Sequence, residues 1–429
     1  MINIFKTAYY ISFFFITILF SFCSCNDSKP KVSSGPVKEI SKIHFYIDNS
    51  ASMGGYFNDK TEFDEIVAEM AAKINKQIKP LDIFFIADSI IPYTKPVEGF
   101  GDDIAQTSPA HQKSSQLQNM IKQIADHNDS NDVSLLVSDC ILSFPDEAIK
   151  NNKNINQQKA PSLKNDVYQT FYDLKAKGVA TTVYAFTSKF YSNAKKGIYY
   201  YDYQNNKKIL NGEERPFYIW VIANKDLLVK FNSKINDISG FKPEKSLDFG
   251  LSEQPITKYD VATQSERIGD WNWSKNDSTI GDINVKKSAE EFTIALDCKS
   301  LPLYAQDVNY IQTHLQLAQK GCEATFKVKD KQSIDKSKFK SNQQKELYED
   351  ASHFIVFTVN SMMLPTASIE VTLPKQYDTW YTQWSTMDDT KEDSLKNKTF
   401  AFEYLINGVK DAYETKNTNY IDCLIKLKQ

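Results

Sequence analysis

About the first 240 residues alternate short apolar runs with stretches of helical spacing, and this alternation limits the fold more than any other feature. Apolar runs predict buried strands at residues 43–47, 81–87, 133–138, 179–186 and 216–222. Stretches with apolar residues every three or four positions separate most of these runs and predict helices. Because parallel strands need a crossover helix, we predict an α/β domain with a doubly wound, mostly parallel sheet.

The sequence pattern changes near residue 240, where short strand-like runs follow one another with polar connections. These runs lie at residues 292–296, 314–317, 324–328, 354–359 and 368–373. Their density favours an antiparallel, sandwich-like arrangement. A late helix at 400–413 and a strand at 420–427 complete the pattern. We therefore predict an α/β domain at residues 41–237 and a β-rich domain at residues 238–429.

The N-terminus has the features of a secretory signal. Lys6 precedes an apolar run at residues 8–22, which is short for a membrane span and ends before Cys23-Ser24-Cys25. Cys25 follows a small residue and is predicted to be the lipidated first residue of a mature bacterial lipoprotein, with residues 1–25 as signal peptide. An uncleaved N-terminal anchor is the alternative. Residues 26–40, rich in Ser, Lys and Pro, predict a flexible linker.

Composition narrows the partners and the compartment. A net charge of −3 gives no electrostatic argument for binding nucleic acid. The N-terminal signal, not the charge, predicts an outer-membrane lipoprotein on the periplasmic or surface-exposed face. No cysteine of the mature chain has CxxC spacing, which argues against structural zinc. Cys298 and Cys322 border strand-like runs in one region, so either a disulfide between them or buried free thiols is expected.

A polar motif, Asp48-Asn49-Ser50-Ala51-Ser52, follows the first predicted strand. One carboxylate and two hydroxyls at alternate positions suit Mg²⁺, or less selectively Mn²⁺ or Ca²⁺, because hard cations take oxygen ligands. Asp139 follows the strand at 133–138. A doubly wound sheet places its ligands at the carboxyl ends of the strands, so it can bring these two distant aspartates to a single site.

In spacing and context these residues resemble the metal-ion-dependent adhesion site of the von Willebrand factor A (VWA) family, which opens with Asp-x-Ser-x-Ser after the first strand. The resemblance covers residues 41–237. It implies that Asp139 is the second acidic ligand and that a further ligand lies where the helix at 115–124 opens, where the family usually has threonine. Ser115 is favoured because Leu117 matches the apolar position after that threonine, with Ser114 and Thr107 as alternatives.

The resemblance also implies a function. Ser50 and Ser52 would bind the cation directly, while Asp48 and Asp139 would act directly or through water. In this family an acidic side chain of a partner fills the vacant coordination position. The chain would thus be an envelope-anchored binding or adhesion module that captures a carboxylate of a protein or an extracellular polymer.

Two other functions compete with this interpretation. In a metal-dependent phosphohydrolase Ser50 would be the nucleophile, but such enzymes need further ligands, often histidine. The five histidines form no Asp/His cluster in the sequence, and no P-loop or Gly-x-Ser-x-Gly pattern is present, so an enzyme is the weaker interpretation. A purely structural component of an envelope assembly is the third interpretation.

A tyrosine-rich segment at residues 198–207 predicts a hairpin, because the Asn205-Asn206 pair tolerates the positive φ of a tight turn. It is either a contact surface or an extra hairpin that packs onto the sheet.

Overall fold

The computed structural model describes residues 39–57, 61–107, 110, 116–141 and 146–429. The described residues from Glu39 to Gln429 form one compact unit of mixed α/β structure with several mixed sheets. The predicted signal peptide with Cys25, and the predicted linker up to residue 38, lie outside the described residues. In the described part, no helix is both long enough and apolar enough to span a bilayer.

Up to Phe249, the described residues contain nine strands. In chain order they are β1 Ile43–Asp48, β2 Leu81–Ile86, β3 Ile90–Pro92, β4 Val133–Ser138, β5 Val179–Tyr191, β6 Tyr200–Tyr201, β7 Lys207–Lys208, β8 Asn211–Asn224 and β9 Lys245–Phe249. Seven of them form one sheet in the order β3-β2-β1-β4-β8-β5-β9. β1 pairs in parallel with β2 and β4, whereas the other neighbouring pairs are antiparallel. The sheet is therefore mixed rather than mostly parallel.

The two antiparallel pairs of β8, with β4 and with β5, arise because β5 and β8 form one long hairpin. Pairing runs from Val179 opposite Asn224 to Tyr191 opposite Asn211, and a hairpin connection makes its strands antiparallel. β8 then lies between β4 and β5. Ser138, the last residue of β4, pairs with Tyr218, so the first residues of β8 extend beyond the end of β4.

Helices cover both faces of this sheet. One apolar cluster joins the sheet to α1 Glu62–Lys73, α2 Phe100–Thr107 and α6 Lys225–Asn236. A second cluster, on the other side, joins it to α3 Leu117–His127, α5 Ile155–Ala176 and α11 Phe402–Tyr413. The short helix α4 Asp146–Asn151 precedes α5. In α3, helical spacing puts four apolar residues on one face, and all four are buried: Leu117, Met120, Ile121 and Ile124.

Residues beyond 237 help to complete this layered region. β9 pairs with β5 at the edge of the first sheet, and α11 packs against α5. At the other end, Ile40 of the predicted linker is buried in the first apolar cluster. The division into two domains at residue 237 stays a prediction. β9 and α11 follow that residue in sequence but belong to the layered region around the first sheet.

Gly408 lies where α11 meets α5. A Cβ atom at this position would lie 2.6 Å from the backbone oxygen of Lys164 and 3.0 Å from Cβ of Val167. Gly408→Ala is expected to lower the free energy of unfolding by about 1–2 kcal/mol, because overpacking outweighs the gain in helix propensity. Urea denaturation would measure the change. Gly99→Ala is the matched control, since nothing lies within 4 Å of its added Cβ; an equal loss in both variants would contradict close packing at Gly408.

The remaining strands form two larger sheets and one two-stranded sheet. The strands are β10 Asp260–Val261, β11 Asn272–Ser274, β12 Thr279–Gly281, β13 Glu290–Leu296, β14 Gln316–Lys320, β15 Cys322–Asp330, β16 His353–Met362, β17 Thr366–Pro374, β18 Ser385–Thr386, β19 Thr399–Phe400 and β20 Asn419–Lys428. The helices are α7 Val308–His314, α8 Asn342–Asp350, α9 Trp380–Gln383 and α10 Glu392–Leu395. The sheet orders are β10-β13-β16-β15, β11-β12-β20-β17-β14 and β18-β19, and the two larger sheets share one apolar cluster.

Cys298 and Cys322 were expected either to form a disulfide or to remain buried free thiols. The four cysteines of the described residues are buried free thiols, so the second expectation is confirmed. Leu296, at the end of β13, pairs with the first residue of β16, whereas Cys322 pairs with the last residue of β16, Met362. The two cysteines therefore lie near opposite ends of a ten-residue strand, far beyond the about 7 Å Cα separation that a disulfide can bridge.

A buried carboxyl group in β9 makes stability depend on pH. Asp248 accepts a hydrogen bond from the Thr182 hydroxyl, and burial raises its pKa from 3.8 to about 6. Because the folded chain binds this proton more tightly than the unfolded chain, stability increases as pH falls from about 6 towards 4. Relative to Asp248→Asn, the wild type is expected to gain about 2 kcal/mol of unfolding free energy between pH 7 and pH 4. Denaturant titrations at several pH values would measure it, and a pH-independent difference would contradict it.

Candidate metal centre

Asp48 is held in place where β1 ends. Its side chain is buried, and its Oδ1 accepts a hydrogen bond of 2.8 Å from the backbone N–H of Ser50. The chain then turns into a short 3₁₀ helix, Ala51–Gly55. This turn brings the hydroxyl oxygens of Ser50 and Ser52 to 3.1 Å from each other. The predicted motif therefore forms one compact group of oxygen atoms at a strand end.

The end of β4 adds a residue that was not predicted. The Ser138 hydroxyl donates a 2.7 Å hydrogen bond to Oδ2 of Asp48 and accepts one of 3.0 Å from the backbone N–H of Cys140. β1 and β4 are neighbours with Ile47 opposite Val137, which explains this contact. The available sequence signal was a serine directly before Asp139 at the end of an apolar strand. Ser138 thus links the two strand ends through Asp48.

Asp139 follows Ser138 and is buried, with 2% of its surface exposed. Its Oδ1 accepts a hydrogen bond of 3.2 Å from the Ile141 backbone N–H, while its Oδ2 has no hydrogen-bond partner among the described residues. Burial and the charge of Asp48 raise the pKa of Asp139 to about 7; the Ile141 N–H, Ser52 and Arg215 act in the opposite direction. Asp139 therefore interacts with Asp48 and Ser52 despite the sequence distance between them.

Arg215 brings a buried positive charge close to these carboxylates. It lies in the part of β8 that extends beyond β4, and it is 1% exposed. One of its guanidinium nitrogens donates to the Leu395 carbonyl and another to the Tyr200 hydroxyl at 3.2 Å. The guanidinium also lies 4.5 Å from the ring centroid of Tyr200. Tyr200 in turn donates to the buried Asp389.

The C-terminal region therefore reaches the candidate site. Asp389 accepts a second hydrogen bond, 2.8 Å long, from the backbone N–H of Tyr203. The Thr399 hydroxyl lies 3.5 Å from the Asp139 carbonyl oxygen. Tyr200 is 1% exposed, and Asn205 has a φ of 61°, as expected for the turn of the tyrosine-rich hairpin. For Tyr200, packing rather than a contact surface is the observed role. Arg215, Tyr200 and Asp389 were not predicted.

Cys140 has a structural environment. The indole N–H of Trp220 donates a hydrogen bond of 3.2 Å to its sulfur, and burial raises the pKa of the thiol well above its usual range. Its φ of 56° marks the sharp turn after Asp139. A neutral, buried thiol is a poor nucleophile, so the role of Cys140 is packing.

The three candidates for the further ligand have side chains outside the described part of the structure. Ser114 and Ser115 lie outside the described residues. Thr107 is the last residue of α2, and its side chain also lies outside the description. The site as described therefore contains Asp48, Ser50, Ser52 and Asp139, with Ser138 and Arg215 next to them.

The oxygen groups suit a hard divalent cation. Two carboxylates and two hydroxyls match the ligand preference of Mg²⁺, and the buried Oδ2 of Asp139 offers a coordinating atom. The described residues contain no group of three or more His, Cys, Asp or Glu suited to a metal. A site built from two carboxylates and serine hydroxyls is not a group of that kind.

No family model, curated protein or solved structure matches the chain.

Proposed function

We propose that the chain is a divalent-cation-dependent binding module of the VWA type. The main support for the proposal is the geometry at the ends of β1 and β4. There the Ser138 hydroxyl donates a hydrogen bond to Asp48, and the neighbouring Asp139 is buried with its Oδ2 lacking a hydrogen-bond partner among the described residues. In this proposal the layered region around the first sheet is a VWA-like, doubly wound domain in which β8 is an inserted antiparallel strand. The two larger C-terminal sheets would be a β-sandwich.

The cation would be Mg²⁺, or Mn²⁺ or Ca²⁺. Ser50, Ser52 and Asp139 would hold it, with Ser115 as a further ligand. Asp48 would bind the cation directly or through a water molecule. Its two oxygens also accept hydrogen bonds from the Ser50 backbone N–H and the Ser138 hydroxyl. When bound, the cation would supply a Lewis-acidic position for a carboxylate. Ser52 is half-buried, unlike the fully buried Asp48 and Ser50, so a partner would approach from its side.

The partner in this proposal is a protein or extracellular polymer with accessible carboxylates. The N-terminal sequence supports an outer-membrane lipoprotein anchored through Cys25, on the periplasmic or surface-exposed face. Anchoring would keep the module near the membrane and leave the cation site to bind its partner.

The burial of Ser50 favours binding over hydrolysis. With 2% of its surface exposed, Ser50 offers little access to a phosphoester. A structural role in an envelope assembly would make no use of the cation.

A relaxation experiment would test carboxylate capture. The full mature chain would be loaded with Mn²⁺, and water-proton relaxation would report water molecules on the bound ion. Poly-glutamate is expected to lower the relaxation enhancement, because its carboxylates displace metal-bound water, whereas poly-glutamine is expected to leave it unchanged. No Mn²⁺-dependent enhancement, or an equal effect of both polymers, would contradict the proposal.

A further inference from the structure

A cavity lies between the edges of the two larger C-terminal sheets, far along the chain from the candidate metal centre. Its volume is about 460 Å³, within the range of small-molecule sites. β10 and the residues before it form one wall, the β11–β12 hairpin a second, and the ends of β13 and α8 a third. Its aromatic and charged lining residues include Lys258, Tyr259, Trp273, Lys275, Asp297 and Asp350.

Two aromatic side chains line this cavity. The ring centroids of Tyr259 and Trp273 lie 6.0 Å apart, and both residues are half-buried. The Tyr259 hydroxyl is fixed by a hydrogen bond of 3.0 Å to the Leu424 carbonyl. The Trp273 indole N–H is buried and has no hydrogen-bond partner among the described residues. Such rings provide rigid apolar surface at the wall of a polar cavity.

The charged groups of the cavity largely neutralise each other. Lys275 pairs with Asp260 at 2.6 Å, and Lys299 pairs with Asp297 at 3.8 Å. Lys299 also donates a hydrogen bond of 3.0 Å to the Asp350 carbonyl. Because lysines already pair with two of the three carboxylates, the cavity does not have the negative potential that would select a cation.

We propose that this cavity binds a neutral saccharide. The C–H face of a sugar ring packs on Tyr259 and Trp273, while its hydroxyls exchange hydrogen bonds with the carboxylates of Asp297 and Asp350 and with the ammonium of Lys258. Aromatic surface combined with ionic groups that both donate and accept hydrogen bonds matches a neutral polyhydroxyl ligand. This site is independent of the cation proposed above.

The test uses the full mature chain in the presence of a chelator, so that the metal centre does not contribute. The probes are maltotriose, cellotriose, xylotriose and N-acetylchitotriose, measured by saturation-transfer NMR and calorimetry. At least one probe is expected to bind with a Kd of about 0.1–10 mM, typical of a small polar ligand in an open site. Trp273→Ala is expected to weaken that binding about tenfold or more, because it removes the stacking surface.

Two further variants make the result decisive. Asp297→Asn keeps the size of the side chain and is expected to weaken binding several-fold, so it decides the question if Trp273→Ala fails to fold. Tyr172→Ala, which removes an exposed aromatic ring from α5, is the control and is expected to bind as wild type. The proposal is overturned if none of the four probes binds, if both cavity variants bind as wild type, or if tetramethylammonium binds in their place with the same dependence on Trp273.

Discussion

Asp139→Asn is expected to lower the affinity for Mg²⁺ by about 100-fold or more, since it removes a charged ligand from a buried site. The wild-type oxygen atom that would bind the cation is buried, and the described residues provide it with no hydrogen-bond partner. The neutral amide keeps the shape of the side chain but presents at most one oxygen and no charge. Isothermal calorimetry with Mg²⁺ and Mn²⁺ would measure the change, with the full mature chain in both cases.

A matched control separates loss of a ligand from loss of surface charge. Asp88 is exposed and follows the end of β2, at the same edge of the sheet as Asp48. Asp88→Asn is therefore expected to bind Mg²⁺ as wild type. Equal binding heats for wild type and Asp139→Asn would show that the assigned ligand set is wrong.

Arg215→Gln is expected to lower the free energy of unfolding by about 2–4 kcal/mol, because it removes the buried hydrogen bonds to Leu395 and Tyr200 and a positive charge near two buried acidic groups. Asp139 and Asp389 are both buried, and the charge of Arg215 lowers the pKa of each. Burial raises the pKa of both carboxyl groups, so their charged forms depend on that compensation. Chemical denaturation at neutral pH would measure the loss.

The chain offers a matched control for this variant, because Arg267 is its other arginine and is exposed. Arg267 donates hydrogen bonds to the carbonyls of Thr263, Gly269 and Trp271 at the surface, so Arg267→Gln is expected to cost about 1–2 kcal/mol, less than Arg215→Gln. Adding Asp389→Asn to Arg215→Gln is expected to recover part of the loss, since it removes a buried acidic group whose charged form Arg215 favours. Strictly additive effects would indicate that Arg215 and Asp389 do not interact.

The local elements of the first sheet could be predicted from the sequence. β4 was predicted with its observed bounds, because an apolar run ends in two polar residues at a strand end. Gly178 is a sequence signal for the end of α5, because its φ of 75° suits the turn after a helix. These features depend on short stretches of chain, where apolar spacing and turn residues determine the structure.

The direction of β8 was missed, although the sequence contained a signal. The segment between β5 and β8 has a hairpin pattern instead of a crossover helix, and a chain that returns without a crossover pairs antiparallel. Arg215 also had a signal, since it is an arginine next to an apolar strand run in a chain rich in lysine. Its partner Asp389 had none, because it lies in a polar loop that reaches Tyr200 only through the tertiary fold.

The cation site was predictable in part, because some of its residues lie in short sequence patterns at strand ends. Asp48, Ser50 and Ser52 are close in sequence, and Asp139 follows from the rule that parallel strands end at one edge of a sheet. Ser138 and Arg215 support Asp48 and Asp139 from neighbouring strands. Their contribution depends on the register between strands, which local sequence patterns do not specify.

A crystal structure of the full mature chain soaked with Mn²⁺ would test the central claim most directly. The anomalous signal of the ion is expected as a single strong peak bound by the oxygens of Ser50, Ser52 and Asp139, at about the 2.1 Å typical of an ion of this size. A structure in which the ion binds elsewhere, or in which these three side chains bind no ion at saturating Mn²⁺, would contradict the proposed function.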